Sequence, residues 1–208
     1  NTKSVAMEDM IYHTAIVSKA SQQSLVVADM PIHSYDNVQS ALLNAKELLS
    51  CGAGMIKIEG GSENTEVIKA FISNNIKVCG HLGLQPQQVV DSSGYKVQGR
   101  DKVSADSIKN NAKLLESLGI SALVLECIPS DLAGSITNLL TIPTIGIGAG
   151  KECDGQILVS YDMLGISLGK QPRFVRNFLT TEESIIGAFK SFVAEVKQGK
   201  FPNKDESY

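Results

Sequence analysis

The sequence lacks the features that would place a protein in a membrane or on a nucleic acid. No apolar run reaches about 18 residues, the length that a membrane-spanning helix needs. Lys and Arg (19 residues) do not outnumber Asp and Glu (22 residues), and the net charge of −3 offers no basic field to nucleic acid or anionic lipid. The first residues show no signal-peptide pattern. We therefore expect a cytoplasmic protein that binds neither nucleic acid nor a membrane.

Closely spaced cysteine pairs are also missing. The four cysteines, Cys51, Cys79, Cys127 and Cys153, lie far apart and form no CxxC pair. This spacing argues against a zinc site and against the disulfide framework of a small secreted domain. We expect all four to be reduced, buried thiols.

A linker that would divide the chain into domains is absent as well. The 208 residues match the size of one domain, and short apolar runs alternate with amphipathic stretches throughout. Six of these runs are almost continuously apolar, which is typical of parallel strands that are covered on both faces. The predicted strands are Ser24–Ala28, Met55–Glu59, Lys77–Gly80, Ala122–Cys127, Thr144–Ile147 and Gln156–Val159.

Amphipathic helices are predicted between these strands and towards both ends of the chain. Asp36 and Ser62 are candidate N-caps of the helices that follow the first two strands. The last helix, from about Thr181 to Gln198, has an apolar stripe that includes two phenylalanines. We expect this helix to pack partly on another subunit.

The strict alternation of strand and helix predicts a parallel sheet with right-handed crossovers. Two architectures contain such a sheet: an open doubly wound sheet, and a (β/α)8 TIM barrel that here lacks its first two strands. An open sheet gathers its ligand-binding residues at one switch point, whereas nearly every predicted strand here ends in a polar or glycine-rich segment. We therefore predict the α/β class and a single, N-terminally incomplete barrel domain over residues 1–208.

Five polar side chains come at the ends of four predicted strands, where barrel enzymes place their catalytic groups. They are Asp29, Lys57, Glu59, His81 and Glu126. Asp29 and Glu59 offer the hard oxygen ligands that Mg²⁺ prefers, and Lys57 can bind a carboxylate or an enolate oxygen. Glu126 lies in an apolar run and is a candidate general base with a raised pKa. Together they suggest proton abstraction next to a carbonyl, followed by carbon–carbon chemistry.

Each of these residues also has a structural interpretation. Asp29 is compatible with a turn cap, and Lys57 and Glu59, two residues apart on one face, are compatible with a buried ion pair. His81 is compatible with a core histidine that has its hydrogen bonds satisfied. Glu126 is the hardest to explain structurally, because carboxylates are seldom buried without a partner or a function.

Two glycine-containing segments are weaker signals. Gly148-Ala149-Gly150 resembles a phosphate-binding loop, although such glycines also simply turn the chain. The segment Pro86–Val103 is polar and long for a connection between a strand and a helix, which favours a lid over the site.

At these residues the sequence resembles the ketopantoate hydroxymethyltransferase (3-methyl-2-oxobutanoate hydroxymethyltransferase) family. The resemblance covers nearly the whole chain, and its segments together are far more specific than any one motif. They are Ala28-Asp29-Met30-Pro31, Met55-Ile56-Lys57-Ile58-Glu59-Gly60-Gly61, Val78-Cys79-Gly80-His81-Leu82-Gly83-Leu84, Gly94-Tyr95-Lys96-Val97-Gln98-Gly99-Arg100, Leu125-Glu126-Cys127-Ile128-Pro129 and Ile145-Gly146-Ile147-Gly148-Ala149-Gly150.

The resemblance implies a (β/α)8 barrel of the phosphoenolpyruvate mutase-like type with a Mg²⁺-dependent reaction. A hydroxymethyl group passes from 5,10-methylenetetrahydrofolate to 2-oxoisovalerate and gives ketopantoate for pantothenate and coenzyme A synthesis. Asp29 matches a ligand of metal and substrate, Glu59 a Mg²⁺ ligand and Lys57 the lysine that binds the oxo acid. His81 matches an active-site histidine and Glu126 the proton acceptor. The resemblance also implies a homo-oligomer, often a decamer.

One part of the family pattern has no counterpart in this sequence. It is a Gly-Asp-Ser segment at the end of the family's second strand, and its aspartate is a further Mg²⁺ ligand. We expect that a longer chain would supply two N-terminal strands and a second carboxylate close to Asp29. The 208-residue chain alone should then bind Mg²⁺ weakly.

Two other functions stay open at this point. A related Mg²⁺-dependent 2-oxo acid lyase or mutase would use the same enolate chemistry, but the Lys-Lys-Cys-Gly-His loop typical of those enzymes does not occur here. The other is a non-catalytic fragment or assembly subunit; the missing strands favour it, and the intact set of site residues argues against it.

Overall fold

The computed structural model describes residues 2–89 and 96–208. Within these ranges, six strands form one parallel sheet whose order in space is their order in the chain. This arrangement confirms the predicted parallel α/β class. The strands are β1 (Val27–Asp29), β2 (Met55–Lys57), β3 (Val78–Gly83), β4 (Ala122–Glu126), β5 (Thr144–Ile147) and β6 (Gly155–Gln156).

The same ranges contain seven α-helices. They are α1 (Met7–Ala20), α2 (Val38–Ser50), α3 (Thr65–Ser73), α4 (Lys102–Ser117), α5 (Ser130–Thr137), α6 (Ser160–Met163) and α7 (Ile185–Lys197). The helices α2 to α5 each connect two consecutive strands, as the alternation of apolar runs predicted. Among the helices described, none combines the length and the apolar character needed to cross a membrane.

The helix starts correct two of the predicted N-caps. Asn37 rather than Asp36 caps α2, and its side chain accepts a hydrogen bond from the Ser40 N–H at 2.9 Å. Asn and Asp cap equally well, so the sequence alone could not choose between neighbours. Ser62 does not cap α3 but opens a short 3-10 turn that precedes it.

The last helix also starts later than the predicted Thr181. Ser184 caps α7 by accepting a hydrogen bond from the Gly187 N–H at 3.0 Å, while Thr181 ends a preceding 3-10 turn, Phe178–Thr181. One side of α7 packs on its own chain, where Phe178 and Ala188 belong to a small buried cluster. Contact of this helix with another subunit stays a prediction.

The two faces of the sheet have different neighbours. On the helix face, alternate strand residues such as Ile56, Leu123 and Leu125 pack with α2, α3, α4 and α5 in the main hydrophobic core. The opposite face, here called the inner face, carries a smaller apolar cluster that includes Cys79 and Val124. Since side chains along a strand alternate between faces, the sequence of each strand divides cleanly between these two environments.

Two further predictions concern the cysteines and the proposed lid. All four cysteines are free thiols, as predicted, but Cys51 is half-buried where burial was expected. The segment Pro86–Val103 includes positions 90–95, which lie outside the described residues. Its last part leads into α4, whose N-cap is Asp101. The lid therefore stays a prediction.

Candidate active site

The alternation of side chains places the predicted site residues on the inner face. In each of three strands, a buried inner-face residue is followed two positions later by a polar residue. Because residues two apart on a strand face the same side, the polar side chain also lies on the inner face. Asp29 ends β1 and lies beside Lys57 in the strand register. The three pairs are Met55 and Lys57, Cys79 and His81, and Val124 and Glu126.

Asp29 and Lys57 form an ion pair at the carboxyl ends of β1 and β2. The Lys57 Nζ donates to Asp29 Oδ2 at 2.5 Å. The lysine side chain is 13% exposed and the aspartate side chain 41% exposed, so the pair opens to solvent on the Asp29 side. Asp29 Oδ1 is buried and has no hydrogen-bond partner among the described residues, which leaves an oxygen available to a ligand.

His81 lies between the buried carboxyl group of Glu59 and the partly buried carboxyl group of Glu126. Its Nε2 is 3.2 Å from Glu126 Oε2, and its Nδ1 is 3.8 Å from Glu59 Oε1. The 3.2 Å contact lacks hydrogen-bond geometry, so within the described part of the chain neither ring nitrogen has a hydrogen-bond partner. A histidine that is 2% exposed and unsatisfied does not fit the structural interpretation of His81.

Burial shifts the pKa values of all three groups towards their neutral forms. It raises the pKa of Glu126 to about 7 and that of Glu59 to about 7, while the nearby positive charge of Lys57 opposes both shifts. Burial, and then repulsion from Lys57, lowers the pKa of His81 to about 3. At neutral pH the imidazole is therefore uncharged, and the two carboxyl groups lie near their midpoints.

Glu59 is held by residues that no sequence pattern singled out. The Gln87 backbone N–H donates to Glu59 Oε2 at 3.0 Å, and the Gln87 side chain donates to the Met30 carbonyl at 2.9 Å. The Tyr35 hydroxyl donates to Gln87 Oε1 at 2.9 Å, and Asn64 donates to the Glu59 carbonyl at 2.8 Å. These contacts connect the chain after β1, β2 and β3, so Glu59 has little freedom to move.

A close approach of backbones fixes the position of Glu126. Gly83, at the end of β3, has φ +94°, and a Cβ placed there would lie 2.2 Å from the Glu126 carbonyl oxygen. Glycine is therefore required at this position for β3 and β4 to pair where they end. Cys127, which follows the glutamate, has φ +47° and so turns the chain sharply away from the strand.

The donor set allows only a partial fit to a divalent cation. Within the described residues, no group of three or more His, Cys, Asp or Glu side chains is arranged to hold a metal ion. Mg²⁺, however, is commonly bound by one or two carboxylates together with waters and substrate oxygens. Asp29, with its unpartnered Oδ1, and Glu59, with its oxygens on the same face, fit that simpler arrangement.

Glu126 also lines a cavity of about 1240 Å³ beyond the ends of β3, β4 and β5. Leu84, Ile147 and Phe174 contribute apolar walls to this cavity, and several cations lie around it. Asp29, Lys57, Glu59 and His81 are not among the lining residues that the structure describes. The five predicted residues therefore lie on one face and in mutual electrostatic range, but Glu126 is the member that opens into this space.

Comparison with solved structures identifies the type of barrel. 2,3-Dimethylmalate lyase, a member of the PEP mutase/isocitrate lyase superfamily, superposes with a TM-score of 0.51 at 15% identity, over 69% of this chain and 52% of that one. A Burkholderia cenocepacia J2315 protein provisionally described as a lyase/mutase superposes with a TM-score of 0.54 at 14% identity, over 69% of this chain and 53% of its own. Likeness at this level shows the fold alone, and it confirms the predicted barrel type.

Comparison of sequences is more specific than comparison of folds. A family model described as ketopantoate hydroxymethyltransferase matches residues 1–204. The 3-methyl-2-oxobutanoate hydroxymethyltransferase of Ruthia magnifica subsp. Calyptogena magnifica is 53% identical over all of this chain and 80% of its own length. That of Thermoanaerobacter sp. (strain X514) is 48% identical over all of this chain and 77% of its own length. This chain therefore belongs to the ketopantoate hydroxymethyltransferase family of transferase enzymes.

Proposed function

We propose that the protein transfers a hydroxymethyl group from 5,10-methylenetetrahydrofolate to 2-oxoisovalerate and so forms ketopantoate for pantothenate and coenzyme A synthesis. The position of Glu126 supports this reaction most directly. It is a partly buried carboxyl group with a raised pKa, it contacts the neutral His81, and it opens into a cavity large enough for two reactants.

Glu126 is the general base of this proposal. Its carboxylate takes the proton from C3 of 2-oxoisovalerate, and the electron pair of that C–H bond becomes the enolate. A pKa of about 7 makes the group both substantially ionised and appreciably basic at neutral pH. His81, 3.2 Å away, is neutral and so adds no positive charge that would lower this basicity.

Lys57 and Asp29 are the substrate-binding pair. The Lys57 ammonium lies on the inner face beside β3 and can hold the oxo-acid oxygens, on which negative charge increases when C3 loses its proton. Asp29 fixes the ammonium through the 2.5 Å contact, so the positive charge is in place before substrate arrives. Prior orientation of this kind removes a reorganisation cost from the reaction step.

Asp29 and Glu59 are the residues that would hold Mg²⁺. A bound Mg²⁺ supplies Lewis-acid polarisation of the carbonyl next to C3. The hydrogen bond from the Gln87 N–H orients Glu59 for this purpose, and the Lys57 contact leaves Asp29 Oδ1 available.

The overall reaction balances with one water molecule. A carbon–carbon bond forms between C3 and the one-carbon unit, water supplies the hydroxyl oxygen, and the donor leaves as tetrahydrofolate. Exclusion of bulk water during the enolate stage matters, because water would return the proton to C3. The apolar walls at Leu84, Ile147 and Phe174 limit access of water to this part of the cavity.

Exchange of the C3 proton of 2-oxoisovalerate tests the base without the donor. The protein, a large excess of Mg²⁺ to offset the weak binding expected of this chain, and the oxo acid are incubated in D₂O. The C3 signal is followed by proton NMR. We expect the signal to disappear faster than in a sample without protein, and we expect ketopantoate to form when the donor is added. Absence of both exchange and product would show the proposal to be wrong.

The lyase or mutase alternative rests on a likeness that shows the fold alone. Such an enzyme would break or rearrange a carbon–carbon bond of its substrate without a folate. Product formation that depends on the donor separates the two functions, because a lyase or mutase would give none.

We also propose that the family's homo-oligomeric assembly uses α7. Its outer side exposes a stripe of apolar side chains, with Ile186 70% exposed and Phe189 44% exposed. Such a stripe on a helix already docked through its other side is typical of an interface with a second copy. Sedimentation of the unmodified protein and of Phe189→Asp tests this interface. The unmodified protein should sediment as an oligomer and the variant as a smaller species, and an unmodified protein that sediments as a monomer would contradict the proposal.

A further inference from the structure

The cavity next to Glu126 is lined by an excess of positive charge. Lys96, Arg100, Lys170 and Arg173 line it, whereas the chain as a whole has a net charge of −3. Acidic side chains on the same lining are fewer, namely Glu126 and Asp162. A local reversal of the overall sign is typical of a site that attracts an anion.

Carboxylates of the described residues do not pair with these cations. Across residues 2–89 and 96–208, none of the four forms an ion pair with an acidic side chain. Arg176, which does not line the cavity, is the contrasting case, because it pairs with both Glu195 and Glu206. The Arg176 guanidinium is thus neutralised inside the fold, whereas the described part of the chain offers the cavity cations no such partner.

Contacts within the fold hold two of the charged side chains that line the cavity, Arg173 and Asp162. Arg173 donates to the backbone carbonyls of Asp205 and Lys204, and its guanidinium lies over the Tyr208 ring at 5.9 Å, so it is held in place without being neutralised. Asp162 accepts a hydrogen bond from the Ser167 hydroxyl at 2.5 Å. One oxygen of the Asp162 carboxylate, on α6, therefore already has a partner within its own segment.

The other end of the cavity is apolar and reaches the proposed base. The buried ring of Phe174 packs edge-to-face on the Tyr208 ring, with 6.4 Å between the ring centroids. Phe174 lines the cavity together with Ile147 and Glu126. A flat aromatic ligand packs well against such rings. A short-chain oxo acid would fill a small fraction of about 1240 Å³, so the space fits a longer molecule with a ring at one end and anionic groups at the other.

We propose that this cavity binds the one-carbon donor, with its terminal carboxylates on Lys96, Arg100 and Lys170 and its ring system against Phe174. This inference rests on the proposed function, because it assumes an anionic donor whose reactive carbon must reach the enolate at Glu126. It assigns the donor to the β3, β4 and β5 side of the site, apart from the Asp29–Lys57 pair that receives the oxo acid.

Calorimetric titration of the full chain tests the assignment with defined probes. Tetrahydrofolate triglutamate carries the carboxylates, 6-methyltetrahydropterin carries the ring without them, and 2-oxoisovalerate carries the oxo-acid carboxylate alone. The variants are Lys96→Gln and Lys170→Gln, and the matched control is Lys46→Gln, an exposed lysine on α2 outside the cavity. Exposed lysines without ion-pair partners can be replaced with little effect on folding, which thermal unfolding verifies.

We expect each cavity variant to weaken triglutamate binding by about two- to fivefold, the range typical of an exposed ion pair. Binding of the pterin and of 2-oxoisovalerate should not change, and added salt should reduce the difference between variant and unmodified protein. Unchanged triglutamate binding in both variants would overturn the assignment. A loss of 2-oxoisovalerate binding instead would show that the cations hold the oxo acid.

Proton exchange by the unmodified protein distinguishes this failure from failure of the proposed function. If the C3 proton exchanges but the variants bind triglutamate normally, the donor lies elsewhere and the reaction still stands. If the proton does not exchange, the proposed function itself is wrong.

Discussion

Two neighbouring residues of β4 show how differently the two faces of the sheet are used. Leu125 is fully buried in the main core on the helix face, whereas Glu126, the next residue, lies on the inner face beside His81. On the helix face, polar groups are few and apolar packing is continuous. On the inner face, buried polar atoms remain without partners. The difference indicates that one face supplies stability and the other gives up some stability for chemistry.

Replacement of Glu126 should have the largest effect. Glu126→Gln keeps the shape but removes the base, so we expect C3 proton exchange to fall by about 10²- to 10⁴-fold. Thermal unfolding should show a protein that is still folded. The matched control is Glu47→Gln, an exposed carboxylate on α2, which should exchange at the normal rate. Normal exchange by Glu126→Gln would mean that another group is the base.

Replacement of the neighbouring Leu125 should lower the stability of the fold. Leu125→Ala removes fully buried methyl groups from the main core, so the free energy of unfolding should fall by about 2–5 kcal/mol. Urea denaturation measures this change. Leu43→Ala, which removes a leucine that is 64% exposed on α2, should change the free energy of unfolding by less than about 0.5 kcal/mol. Equal effects of the two variants would contradict the division between the faces.

The pH dependence of C3 proton exchange tests whether burial raises the pKa of Glu126. A base acts when it is ionised, so the exchange rate should rise with pH and level off above the pKa of Glu126, about 7. Below that pH the rate should fall by about tenfold per pH unit. His81 should not contribute, because its pKa of about 3 keeps it neutral throughout. A midpoint near 4.5, the ordinary value for glutamate, would show that burial does not shift this group.

The smallest effect is expected in the hydrogen bonds that connect the segments after β1 and β3 beside the inner face. Tyr35→Phe removes the hydroxyl that donates to Gln87 and leaves Gln87 Oε1 buried without that partner. We expect a loss of about 1–2 kcal/mol in the free energy of unfolding, measured in urea. Tyr12→Phe, at a tyrosine that is 64% exposed, is the control and should change little. A loss in the control as large as that in Tyr35→Phe would argue against the hydrogen bond as the cause.

The sequence predicted the inner-face residues because their positions follow from strand periodicity. Lys57 and Glu126 end β2 and β4, and the carboxyl ends of parallel strands lie at one edge of the sheet. His81, predicted to follow a strand that ends at Gly80, lies inside β3, which continues to Gly83. The strand Thr144–Ile147 was predicted with the bounds that the structure has. The last strand was predicted as Gln156–Val159 but is Gly155–Gln156, because the apolar residues that follow pass out of the sheet towards α6.

Other parts of the site could not have been predicted from periodicity. Gln87 supports Glu59 through its backbone N–H, and a backbone donor leaves no trace in the residue type. Tyr35 reaches Gln87 from 52 positions away, a contact that depends on how two loops pack. The excess of positive charge around the cavity likewise comes from separate segments, near Lys96 and near Lys170, that are adjacent only in the folded chain.

The free cysteines have a practical consequence for spectroscopic labelling. Burial raises the pKa of the Cys79 thiol to about 11 and that of Cys127 to about 12, so both are protonated and unreactive at neutral pH. Cys51 is half-buried and follows α2, at the amino end of β2, away from the carboxyl ends where the site lies. A maleimide fluorophore should therefore attach at Cys51 and report on the protein without modifying the chemistry beside Glu126.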